Sequence, residues 1–328
     1  MFVITHRKLF LWLALVIVAS SFAIVARFGL PLGIDFTGGT LIEVTYATLP
    51  DKAAVETTLA PLGLGDPLIR RSDNASNQGY LISVRELSLG EQQTVTNALT
   101  ALGEGGTITR ATSIGPVIGQ ELKDKAVWAI GGVLLIIVIY LAFAFSGIGK
   151  PVSSWVYGLM TIGVLGHDIL VPVAAMSLLG HFAGAEVDIL FVTALLTILG
   201  YSVNDTIVIF DRVREKLVQN RTEHKIKIVE LGGLQREEIE YTLNKPFGDL
   251  VGQAVSETMA RSINTSLTVL LALLALYFLG SSVTQTFVLV LIVGVFAGAF
   301  SSIFIASPLL VTYALWQESK QPKPVSRK

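Results

Sequence analysis

Between Arg261 and Glu318 stand 56 consecutive residues without a formal charge. A helix crosses a bilayer with about 20 apolar residues, so the run reads as two spans. The polar sequence GSSVTQT, residues 280–286, marks their division. The same criterion finds four more candidates upstream. Residues 9–26 and 126–149 are charge-free windows of 18 and 24 residues. The run 152–179 is interrupted only by His167 and Asp168, and 189–210 only by Asp205. Inside a bilayer every backbone amide must bond within its own segment, which makes each run a helix. The expected fold class is a polytopic α-helical membrane protein with six transmembrane helices.

Composition agrees. Hydrophobic residues make up 52% and charged ones only 15%, with a mean hydropathy of +0.65. Soluble domains carry about 25% charged residues, so a soluble enzyme is excluded. A net charge of −1 leaves no basic excess for phosphates, and nucleic acid is not an expected partner. The absence of cysteine removes disulfides, thiolate metal sites and cysteine nucleophiles. Arg7 and Lys8 precede the first apolar run as in a signal peptide, but 18 residues exceed the usual core of about 7–15. An uncleaved first span is expected.

Basic residues set the orientation, because cytoplasmic loops collect them. Segment 212–255 holds eight, and the tail adds Lys320, Lys323, Arg327 and Lys328. The short loops near 180–188 and 280–285 hold none. Both termini of this multi-pass membrane protein are therefore expected in the cytoplasm. Its organisation reads as a terminus and first helix (1–28), an extracytoplasmic domain (29–125), helices two to four (126–211), a cytoplasmic loop (212–255), helices five and six (256–316) and a tail (317–328).

Residues 29–125 are patterned as a soluble domain. Strand-like runs fall at 41–47, 68–71, 80–86 and 107–113, with helix-like stretches at 51–62 and 87–102. The order β-α-β-β-α-β predicts a small ferredoxin-like α+β domain between the first two transmembrane helices. It lacks histidine, cysteine and a Gly-rich phosphate loop, which favours a binding or mechanical role.

Ionisable groups within the membrane carry the functional information. Asp205 lies six residues inward from Asp211, about 9 Å along a helix, too deep for a short side chain to reach the surface. It must be neutral, paired or wetted: a proton carrier, or a structural aspartate bonded to neighbouring helices. Arg261 enters the fifth span, either at a depth comparable with Asp205 or as an anchor at the helix entrance. His167 and Asp168 lie mid-span in the third helix, as a proton relay or as a packing contact, since adjacent positions face different ways. Asp168 is placed about 10 Å or more above Asp205 by helix rise. That separation argues against an aspartyl protease dyad, whose carboxylates share a proton. Gly294 and Gly298 have the spacing that permits close helix contact.

Four stretches together resemble the SecD/SecF family of protein-export membrane subunits, within the resistance-nodulation-division superfamily. They are GIDFTGGT (33–40), SIGPVIGQELKDKA (113–126), the His167–Asp168 pair and LTILGYSVNDTIVIFDRVRE (196–215). The resemblance implies that Asp205 and Arg261 couple proton flow to movement, with Asp168 and His167 in the same pathway. It makes the glycine-rich segment a joint between helix one and the exported domain, with Asp35 as a local cap beside Gly38 and Gly39. It further implies association with SecD and the SecYEG channel, contact with unfolded polypeptide and membrane lipid, and use of the proton motive force. No catalytic residue, cofactor or metal is implied. A small-molecule or lipid exporter of the same superfamily is the alternative, though such proteins carry larger exported domains and about twelve spans. A scaffold subunit is another. Two departures stand out: residues 223–247 look inserted, and Glu257 replaces an Asn- and Gln-containing stretch, one helical turn from Arg261, where the two can pair.

Overall fold

The computed structural model describes residues 2–73, 78–144, 152–229 and 235–320. A short helix α1 (Phe2–Thr5) leads into α2 (Arg7–Phe28), and α3 (Ile34–Thr37) opens the α+β domain expected to be exported. That domain continues with β1 (Gly39–Tyr46), α4 (Lys52–Leu59), β2 (Leu68–Asp73), β3 (Gln78–Val84), α5 (Leu89–Leu102) and β4 (Thr107–Ile114). The membrane helices follow as α6 (Pro116–Ala144), α7 (Ser154–Ala183) and α8 (Ile189–Gln219). A hairpin of β5 (Arg221–Val229) and β6 (Gln235–Leu243) precedes α9 (Phe247–Leu279), α10 (Ser282–Ser301) and α11 (Ser307–Lys320).

Six helical stretches are long and apolar enough to cross a membrane: α2, α6, α7, α8, α9 and the continuous α10–α11. The chain is a six-helix polytopic protein with one small α+β domain between the first two spans, as its charge pattern predicts. Span six is not uniform. A π-helical turn, Ser302–Ala306, joins its two parts. Pro308 has no N–H for the carbonyl four residues back, and widening the turn absorbs that loss.

The exported sheet is antiparallel in the order β2-β3-β1-β4, which is the ferredoxin-like arrangement. Alternation drives it: Ile42, Val44 and Tyr46 of β1 join Ile82 of β3 beneath α4 and α5, where Val55, Leu59, Val95 and Leu99 close the core. Helix α5 starts at a capping box, with Glu91 N donating to Ser88 Oγ and Ser88 N donating to the Glu91 carboxylate.

The boundaries of 212–255 differ from the loop expected there. Helix α8 continues to Gln219, and α9 begins at Phe247. Between them the apparent insertion pairs as a two-stranded ribbon from Arg221↔Leu243 to Val229↔Gln235. Charge counting ends a helix where charges gather, but here the charges pair across helices. Lys150, the basic residues 323–328 and part of the turn SDNASNQG lie outside the described residues.

Candidate functional site

Among the described residues two aspartates, Asp168 and Asp205, are buried in the helix bundle, and their surroundings differ. Asp168 on α7 is fully buried. Its Oδ2 accepts from Ser202 Oγ of α8 and, at 2.7 Å, from Ser301 Oγ of α10, while its Oδ1 lies 2.8 Å from His167 Nδ1. Neighbours on a helix diverge by about 100°, yet the short Asp168 side chain and the imidazole still meet. Glycine makes the three-helix contact possible. A Cβ at Gly298 would stand 3.0 Å from Ser202 Cβ, and one at Gly294 would stand 2.1 Å from Ile198 Cδ1. The Gly294–Gly298 spacing forms the seam between α10 and α8. Gly294→Leu is expected to force these helices apart and destabilise the bundle by about 1–3 kcal/mol, seen as a lower midpoint of thermal unfolding in detergent.

Asp205 sits three residues further along α8, 4% exposed. Ser266 Oγ of α9 donates to its Oδ2 at 3.4 Å, and Tyr201 OH donates to Ser266 Oγ at 3.2 Å. Asp168 is thus held by three close groups and Asp205 by one long hydrogen bond among the described residues. The expected vertical separation needs correction. Asp168 bonds Ser202, which is about 4.5 Å of helix rise from Asp205. The tilt and curvature of α7 and α8 cannot be counted from sequence. Even so, each carboxylate is committed to hydroxyls, and no hydrogen bond joins the two among the described residues.

Arg261 stands apart. It is exposed and makes no ion pair with Asp205 or Glu257 among the described residues. Glu257 turns to α8 instead, bonding Arg212 Nε at 2.6 Å, Arg212 Nη2 and Lys216 Nζ at 2.6 Å. Arg261 is exposed on α9, whereas its neighbours Ser262 and Ser266 are buried. Sequence reasoning missed Ser202, Ser266 and Ser301. The available signal was spacing: Ser202 precedes Asp205 by three residues, one turn on the same helix face.

At the other end of α8 the joint takes shape. Gly38 has φ +75°, and a Cβ there would lie 2.8 Å from Pro116 Cα. Gly39 has φ +142°, and a Cβ would lie 2.6 Å from the Val84 carbonyl oxygen. Only glycine lets β1 leave α3 this tightly against α6. Asp35 does cap a helix, but not its own. Its Oδ2 accepts from Ile189 N at 2.8 Å, beside Asp188 Oδ1, which accepts from Phe191 N. The segment before α8 also docks on the exported sheet, through Ser83 Oγ to Glu186 Oε2 at 2.7 Å and Arg70 Nη1 to the Gly184 carbonyl at 3.5 Å.

Burial holds the carboxyls of Glu186 and Asp188 above the ordinary range, although Arg70 draws them down. The docked arrangement therefore binds protons more readily than a separated one, so docking strengthens as pH falls and weakens as pH rises. The window opens near the ordinary values of 4.5 and 3.8 and extends upward. Hydrogen exchange of segment 180–188, corrected for intrinsic rates, is expected to slow as external pH is lowered through that window. Protection that is independent of pH would refute the assignment.

Carboxylates and hydroxyls buried between membrane helices, with a folded domain docked at one end of the bundle, define a polytopic membrane protein of the transport class. The sequence profile described as "Protein export membrane protein SecD/SecF, C-terminal" matches residues 94–235 and 234–316, and that described as "SecD/SecF GG Motif" matches 23–48. The protein translocase subunit SecF of Sebaldella termitidis is 35% identical, covering 97% of this chain and 92% of the relative. The subunit SecDF of Thermus thermophilus is 32% identical over 95% of this chain, which spans 38% of that longer protein. The crystal structure of SecDF from Thermus thermophilus, a translocon-associated membrane protein, superposes with a TM-score of 0.77 at 30% identity, covering 94% of this chain and 38% of that one. The chain belongs to the SecD/SecF family of protein-export membrane proteins.

Proposed function

We propose that the chain works with a SecD partner to draw polypeptide outward through the SecYEG channel, using a proton gradient taken up at Asp205. The observation that carries this reading is the contrast between the two acids. Asp168 has three close partners, whereas Asp205 is buried with a single 3.4 Å hydrogen bond among the described residues. A carboxylate so weakly held in a low-dielectric bundle gains much from a proton and loses it when water or a cation arrives. Gain and loss of that charge biases α8 against α9, and α8 is tied at its outer end to the exported domain through Asp35 and Glu186. Movement at Asp205 thereby reaches the domain that stands outside.

The SecDF relatives carry the corresponding region within one longer chain, which supports a SecD half beside this one. Arg261, exposed about one turn inside the membrane from Glu257, then faces that half. The complex lies in the inner membrane with both termini in the cytoplasm, the side favoured by the basic segment 212–255. No bond is made or broken, and the work is positional. Infrared difference spectra of the complex, recorded as pH is cycled, test the reading: a protonated-carboxyl band is expected that disappears in Asp205→Asn. A band unchanged by that substitution would assign the proton elsewhere. Isolation of the tagged chain without SecD or channel subunits would count against the partners.

A further inference from the structure

Between Asp205 and the clasp formed by Glu257, a row of hydroxyls lines α9. Ser266, Ser262 and Thr258 recur every four residues and so share one helix face. They are 2%, 2% and 7% exposed. Ser266 Oγ bonds Asp205, and Thr258 Oγ1 donates back to the Ala254 carbonyl at 2.9 Å. Ser262 differs, because its Oγ is buried with no hydrogen-bond partner among the described residues. Burying an unpaired hydroxyl is costly, and an entering water would cancel that cost. Ile209, Phe210, Val213 and Val255 belong to the apolar core of this part of the bundle, so the row is closed as it stands. The closure is tied at the surface, where Glu257 holds Arg212 and Lys216, and Arg212 also bonds Glu215. From Glu257 to Ser266 the helix rises about 13.5 Å.

We propose that this row is the cytoplasmic exit for the Asp205 proton, opened to water when the Glu257 clasp parts. The inference rests on the reading of Asp205 as the proton carrier. The proton leaves the carboxyl for a water beside Ser266, passes between waters held by Ser262 and Thr258, and enters the cytoplasm, leaving a carboxylate behind. Ser262 is a positioning residue: it offers the one free hydroxyl midway, where a water file needs an anchor. Glu257 sets when the file forms.

The chain contains no cysteine, so Ser262→Cys adds its single thiol with little change in size. The probe is a membrane-impermeant methanethiosulfonate applied to either side of vesicles holding the full complex, read as mass added to this chain. Ser262→Cys is expected to react from the cytoplasmic side alone, and about tenfold faster when combined with Glu257→Gln. Reaction from the outer side, or no reaction from either side even with Glu257→Gln, would overturn the route. Ser262→Ala, which removes the hydroxyl without adding volume, is expected to lower gradient-driven export at least fivefold, and unchanged export would also overturn it. Failure of the underlying reading looks different. In that case Asp205→Asn leaves gradient-driven export unchanged whatever the labelling, whereas an Asp205→Asn loss with an unreactive Ser262→Cys sinks the exit alone.

Discussion

Asp205→Asn is expected to reduce gradient-driven export about fortyfold at 100 mV while the complex still assembles. Moving one charge through that potential is worth about 2.3 kcal/mol, and each 1.4 kcal/mol is a factor of ten. Asparagine keeps the shape of the side chain and still accepts from Ser266 Oγ, so the contact between α8 and α9 survives. What disappears is the charge change. The measurement is export of a reporter into inverted vesicles, with and without an ionophore, at equal amounts of co-isolated SecD. Full retention of the ionophore-sensitive part would remove Asp205 from the mechanism.

The spans were legible because a membrane helix declares itself by what it lacks, and a window without charge needs no partner to be recognised. The exported domain was legible for a related reason. Its strand and helix periods are local, and β1 and β3 bury Ile42, Val44 and Ile82 on the alternate positions that the sequence shows. The contacts that make the site are not local. Asp168 meets Ser202 and Ser301, 34 and 133 residues away, and Asp35 caps a helix 154 residues further on. The same limit explains Glu257, which sequence alone joins to Arg261 by a four-residue spacing. In the folded chain α8 offers Arg212 and Lys216 on the facing side, and two cations outcompete one. Depth failed too, because counting residues gives rise along an axis and says nothing of how two axes are shifted.

Asp168→Ala is expected to destabilise the bundle by about 2–6 kcal/mol, because it strands two buried serine hydroxyls at about 1–3 kcal/mol each. The position concentrates weakness that the side chain offsets. Pro172 has no N–H to offer the Asp168 carbonyl, so α7 lacks a hydrogen bond there. Directly after Ser301, α10 gives way to the π-helical turn. Ser202 approaches across the seam where Gly298 allows it. One carboxylate therefore fastens three helices where two of them are irregular. Asp168→Asn retains a single acceptor oxygen and should cost roughly 1–3 kcal/mol, the range for leaving one buried donor unsatisfied. Thermal unfolding of the purified complex, followed alongside SecD recovery, separates this residue from its neighbour. Asp205→Asn should leave the midpoint in place and abolish the gradient response, and Asp168→Asn should lower the midpoint and preserve the response in whatever folds. The reverse pattern, a stable Asp168→Asn complex blind to the gradient, would make Asp168 and His167 the proton carriers and reduce Asp205 to packing.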